Sequence, residues 1–249
     1  MFNFFAADTA KVNGGYNITG NDYNHIVNVL RMNMGDKFLV SFDGKSDLCE
    51  LESISDNTVF AKIVEENYQN TELPIRIFLF QGLPKGDKME LIIQKTVELG
   101  VDTIVPTEMS HCVVKLDDKK KKSKTARWQA IAESAAKQSK RNDIPKVLEA
   151  LPYKKALEMA SELDLLLVPY ENEEGMSATK KTLQKLENVK TVGIVIGPEG
   201  GFAQSEIDLA KEMGGIAISL GKRILRTETA ALTSVAMCML FTEMNDKES

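Results

Sequence analysis

The 249-residue chain has only two histidines, His25 and His111, and three cysteines, Cys49, Cys112 and Cys238, with neither an HExxH nor a CxxC motif. These absences exclude the usual ligand spacings of a structural zinc or a zinc hydrolase, so no metal is expected. An odd number of scattered thiols favours reduced, packed cysteines and a cytoplasmic setting over disulfides. No stretch approaches 18 consecutive apolar residues. The opening MFNFFAADTAKVNGG also lacks a basic region ahead of its aromatic cluster, so neither a membrane span nor a signal peptide is expected. There is no GxxxxGK[ST], and no GxGxxG follows a strand-like run, which argues against P-loop and Rossmann nucleotide sites. A net charge of −5 argues against nucleic acid as a partner, since such proteins usually carry a basic excess, yet basic residues cluster locally. Lys115, Lys119 to Lys122, Lys124, Arg127, Lys137, Lys140 and Arg141 fall close together, and read either as a positive surface or as a solvated loop and helix face.

With 43% hydrophobic residues, the chain can bury one large core or two smaller ones. Short β-rich segments at 37–42, 49–54 and 58–64 are separated by turn signals at 35–36, 43–44 and 56–57, the pattern of a small antiparallel unit. One helical stretch, 22–32, interrupts them, with Ile26, Val29 and Leu30 on one face and Arg31 off it. The polar run ENYQNTELP at 66–74 is the best linker candidate. Beyond it, strands expected at 75–81, 103–106, 146–150, 165–168, 192–196 and 216–220 alternate with helices at 87–99, 126–139, 153–161, 177–186, 205–213 and 229–244. That rhythm predicts an α/β domain with a parallel sheet and helices on both faces, giving domains at 1–70 and 73–249.

The chemistry concentrates at 191–241. An apolar strand delivers the turn Gly197-Pro198-Glu199-Gly200-Gly201, and a second strand delivers Leu220-Gly221-Lys222-Arg223-Ile224-Leu225-Arg226-Thr227-Glu228. Two such loops leaving one sheet edge would form a single site, because open α/β sheets bind ligands at the carboxyl ends of their strands. Leu220, Ile224 and Leu225 could enclose a flat ring or simply be core. The run LTSVAMCMLF at 232–241 is apolar around most of its circumference, so it should be buried on nearly all sides, in the core or in an interface.

The strings IGPEGGF at 196–202, LGKRILRTETAAL at 220–232 and LPKGDKMELIIQKTVELGV at 83–101 resemble the 16S ribosomal RNA uridine-N3 methyltransferase family, the small-subunit methyltransferase E group of the SPOUT class. HIVNVLR at 25–31 and RWQAIAESAAKQSKR at 127–141 extend the resemblance over nearly the whole chain. It implies a PUA-like β-barrel, a SPOUT α/β domain with a C-terminal trefoil knot, a homodimer, S-adenosylmethionine as cofactor and 16S ribosomal RNA or the small subunit as partner. It also implies cofactor contacts from Gly197, Pro198, Glu199, Gly200, Gly201, Leu220, Gly221, Ile224, Leu225, Arg226 and Thr227. Arg226 would stand at the reacting end, with Glu199 either orienting an arginine or assisting at the base. Arg31, Lys85, Gln138 and Arg141 fit RNA contacts, since such side chains bind phosphate without reading bases. Methylation of a ribose hydroxyl, or a non-catalytic RNA-binding assembly role, are the alternatives. One departure is His111, where a basic residue is expected after Ser110; it reads as a pH-dependent substitute or as a loop histidine without a role.

Overall fold

The structure, a computed structural model, describes residues 1–170 and 175–245. The chain divides into two compact units: Met1–Glu72 with Ala136–Ile144, and Leu73–Ala135 with Pro145–Ser249.

The first unit holds a six-stranded sheet of β1 (Asn3–Phe5), β2 (Lys11–Val12), β3 (Gly15–Ile18), β4 (Lys37–Phe42), β5 (Lys45–Ser55) and β6 (Thr58–Gln69), in the order β1-β4-β5-β6-β3-β2. Two-residue loops join β4 to β5 and β5 to β6. Their central residues have positive φ, 51° and 72° at Asp43 and Gly44 and 42° and 61° at Asp56 and Asn57, which suits the right-handed twist of a hairpin. Alternate residues, among them Phe38, Val40, Cys49, Leu51, Val59 and Ala61, build the core with Phe4 and Tyr16. The first four residues of the expected linker belong to the first unit's sheet, because β6 continues to Gln69. The expected helix divides into α1 (Gly20–Asn24) and a π-helical turn, His25–Val29, closed by Leu30 N–H donating to His25 O at 2.8 Å. The wider turn rotates the face: Ile26 is buried and Val27 and Leu30 pack on the core, while Val29 points out.

The second unit contains β7 (Arg76–Gly82), α2 (Lys88–Glu98), β8 (Val101–Glu108), α3 (Asp118–Ser139), β9 (Lys146–Val147), β10 (Leu151–Pro152), α4 (Tyr153–Ala160), β11 (Leu165–Pro169), α5 (Met176–Leu183), β12 (Thr191–Ile196), α6 (Gln204–Glu212), β13 (Ile216–Ile218) and α7 (Thr227–Asn245), with the last residues of α3 belonging to the first unit. The sheet runs β10-β8-β7-β12-β11-β13 with every pair parallel. β7 is buried from Ile77 onward, as a central parallel strand must be. Phe78 and Phe80 face a cluster with Tyr153 and Leu157 of α4 and Ile207 of α6, and the alternation turns Ile77 and Leu79 to the opposite face. There α2 and α7 pack on each other and on the sheet.

One helix boundary is corrected by the structure. α3 begins eight residues early, because Asp117 caps it: its carboxylate accepts the Lys120 N–H at 2.8 Å, and the lysine run is helical. α7 buries only one stripe, Thr227, Ala231, Ser234, Val235 and Cys238, within this chain, leaving Leu240 and Met244 exposed. Among the described residues, no helix is long and apolar enough to cross a membrane.

Candidate functional site

At the carboxyl ends of β11, β12 and β13 lies a cavity of about 450 Å³. One wall is the turn after β12, from Ile196 through Gly197, Pro198, Glu199 and Gly201 to Phe202. The other is the loop after β13, Leu220 to Arg226, continued by Thr227 and Ala230 of α7. Pro169 and Tyr170 close the end of β11, and Lys88 enters from the start of α2. Gly221 has a φ of 105°, and a Cβ there would meet nothing within 4 Å, so this wall presents bare backbone. Ile224 is 85% exposed, so within this chain it flanks the cavity without enclosing it.

The expected site residues therefore come together with one exception. Gly200 lies outside the cavity wall, and its carbonyl accepts a hydrogen bond from His111 Nδ1 at 3.0 Å. The Gly201 carbonyl is 3.2 Å from the same nitrogen. Because a carbonyl only accepts, Nδ1 carries the proton, and His111 supports the glycine turn from behind. The next turn of chain is fixed by Glu206, whose carboxylate accepts the Ala203 amide at 2.9 Å and the Ser110 amide at 2.8 Å.

Two further ties join the walls. Thr227 Oγ1 donates to the Gly197 carbonyl at 2.6 Å and accepts from Gln81 Nε2 at 2.9 Å. Lys88 Nζ lies 2.9 Å from Glu199 Oε1 and 3.5 Å from Glu228 Oε2, and the Lys85 amide donates to Glu199 Oε1 at 3.0 Å. Glu199 thus pairs with a lysine, where an arginine had been expected. Its partial burial opposes ionisation, but the bonds from Lys88 and Lys85 outweigh that and hold the carboxyl below its ordinary range. The bond to Glu199 in turn holds the Lys88 ammonium above the usual lysine range. A depressed carboxyl stabilises the fold above its unfolded pKa, about 4.3, and loses that contribution as pH falls through the folded value. We expect the stability difference between wild type and Glu199→Gln to be constant from about pH 6 to 9 and to vanish in acid; urea unfolding across pH checks this.

Lys222, Arg223 and Arg226 stand exposed at the rim, and none forms an ion pair with a described carboxylate. The residues expected to touch RNA divide. Arg31 (φ 52°), Gln138 and Lys85 are exposed, the first two in the first unit and Lys85 in the second. Arg141 is buried, its side chain 6% exposed, with the guanidinium paired to Glu72, so it is built into the first unit instead of facing solvent. Gln81 and Lys88 join the site without any expectation from the sequence. Their partners lie 146 and 111 residues away, and neither carries a local signal.

An RNA methyltransferase domain matches residues 71–239, and an RNA methyltransferase PUA domain matches 18–64. The ribosomal RNA small subunit methyltransferase E of Bacillus subtilis (strain 168) is 42% identical over 233 residues, covering 92% of this chain and 91% of that protein. Its counterpart from Mesomycoplasma hyopneumoniae (strain 232) is 34% identical, covering 96% and 99%. The crystal structure of a ribosomal RNA small subunit methyltransferase E from Neisseria gonorrhoeae, bound to S-adenosyl methionine, is 33% identical with a TM-score of 0.80, covering 95% of each chain. The chain belongs to the ribosomal RNA small subunit methyltransferase E family.

Proposed function

We infer that this chain transfers the methyl group of S-adenosylmethionine to N3 of one uridine in 16S ribosomal RNA, acting in the cytoplasm as a homodimer. The observation that carries the reading is a cavity walled by both expected loops, in a member of this family. Its residues fit the cofactor: bare backbone at Gly221 admits close approach, and Ile196, Leu220 and Leu225 offer apolar surface to an adenine ring. When bound, S-adenosylmethionine supplies an electrophilic sulfonium methyl.

The chain's own residues then have separable tasks. The two loops hold the reactants in line and keep water out. Uracil N3 is a poor nucleophile until its proton passes to solvent, and Arg226 would stabilise the resulting anion; its exposure at the rim and its permanent charge support that role. Glu199, held ionised by Lys88 and Lys85, is a weak base and fits the role of orienting the turn. N3 lies on the Watson–Crick edge, so the target uridine must be unpaired or extruded. Strand order and packing support the implied knot: β13 is the edge strand, yet α7 returns past β11 to pack on α2, β7 and β12. The exposed apolar flank of α7, with Leu240 and Met244, supports the dimer.

Transfer of a radiolabelled methyl group to small-subunit RNA, and none to large-subunit RNA, is the expected result; no transfer to either, without cofactor binding by calorimetry, would favour the assembly role. Arg31→Ala should weaken RNA binding and lower the slope of log K against log salt by about one, with cofactor affinity unchanged. A cofactor defect in that variant contradicts the assignment of Arg31 to RNA.

A further inference from the structure

Lys88 is the first residue of α2, directly after the loop that leaves β7, and its ammonium reaches both walls of the cavity. Glu199 belongs to the turn after β12, and Glu228 to the first turn of α7. The two carboxylates share this one cation, at 2.9 and 3.5 Å. Their side chains are only 26% and 17% exposed, and Glu228 Oε2 is buried with no hydrogen-bond partner among the described residues. An exposed pair in this place would contribute little, because water and salt screen it. Here a half-buried cation stands against two half-buried anions from separate segments, so losing it leaves two like charges facing one another in poor solvent.

We propose that Lys88 is a positioning residue that fastens the turn at 197–201 to the start of α7, holding the two walls of the methyl-donor site at their binding distance. Gln81, through Thr227, makes a neutral tie between the same two segments, which leaves Lys88 as the ionic one. The inference rests on the cavity being the S-adenosylmethionine site, and its test has one arm that does not.

Wild type, Lys88→Met and Lys88→Arg are compared in the full chain. Without ligand, amide hydrogen exchange should accelerate about tenfold in Lys88→Met in two segments together, 197–203 and 221–228, and return toward wild type in Lys88→Arg. With ligand, Lys88→Met should raise the Kd and the KM for S-adenosylmethionine about tenfold, with a smaller change in kcat at saturation. Exchange and affinity equal to wild type overturn the proposal, as does loosening of one segment alone in Lys88→Met. If wild type itself fails to bind S-adenosylmethionine, the functional reading fails while the exchange arm still judges Lys88. Should Lys88→Met unfold, Glu228→Gln removes one carboxylate and keeps the other pair. Exchange should then rise in 221–228 alone, and an unchanged profile overturns the proposal.

Discussion

Replacing Arg226 with alanine should lower methyl transfer by about 10²- to 10³-fold, while S-adenosylmethionine affinity stays within about threefold of wild type. Arg226 is exposed on the rim of the cavity and forms no ion pair with a described carboxylate, so its charge is available to the reacting base. A donor aimed at charge that develops only in the transition state affects kcat, whereas a cofactor contact affects binding. The fold should tolerate the change. What Arg226 gives the helix is its carbonyl, which accepts the Ala230 amide at 2.8 Å, and alanine keeps that carbonyl. Lysine should restore only part of the rate, since it lacks the planar guanidinium. Single-turnover rates beside calorimetric affinities check the division, and equal losses in both would place Arg226 against the cofactor instead.

Arg141→Ala should cost about 3 kcal/mol of stability in the first unit, because it leaves the Glu72 carboxylate without its buried partner. The residue does more than pair. Its carbonyl accepts from Asn3 Nδ2 at 2.9 Å and from Ser41 Oγ at 3.2 Å, and the same Glu72 accepts the Asn142 amide at 2.9 Å. These bonds hold the 136–144 segment within the first unit, and the one from the Asn142 amide needs the Glu72 carboxylate in place. The double variant Arg141→Met with Glu72→Leu should recover only part of the loss: a buried pair replaced whole is often nearly neutral, but leucine cannot accept the Asn142 amide. Urea unfolding measures both. A loss below about 1 kcal/mol, together with a salt slope for RNA binding reduced by about one, would return Arg141 to the RNA surface.

Period and turn chemistry made much of the fold legible in the sequence. The alternation of apolar runs marks β7, β11 and β12, and Asp-Gly and Asp-Asn at 43–44 and 56–57 mark two hairpins that the structure closes as two-residue turns. The two cavity loops were legible for a related reason: glycine-rich turns after buried strands have few structural uses. The misses were of a different kind. A π-helical turn at His25–Val29 changes the period on which the amphipathic reading depends, so Val29 faces out. Arg141 looks like any other residue of a basic run until Glu72 is brought to it from 69 residues away. Lys88 and Gln81 likewise acquire meaning only from partners far along the chain.

The atom that receives the methyl group distinguishes the proposed reaction from its alternatives. Unmodified 16S ribosomal RNA, free and in assembled small subunits, would be incubated with the protein and S-adenosylmethionine, then digested to nucleosides and resolved by mass spectrometry against standards. The expected product is N3-methyluridine, lost in Arg226→Ala. A ribose 2′-O-methyl nucleoside, or methylation of any other base, would contradict it.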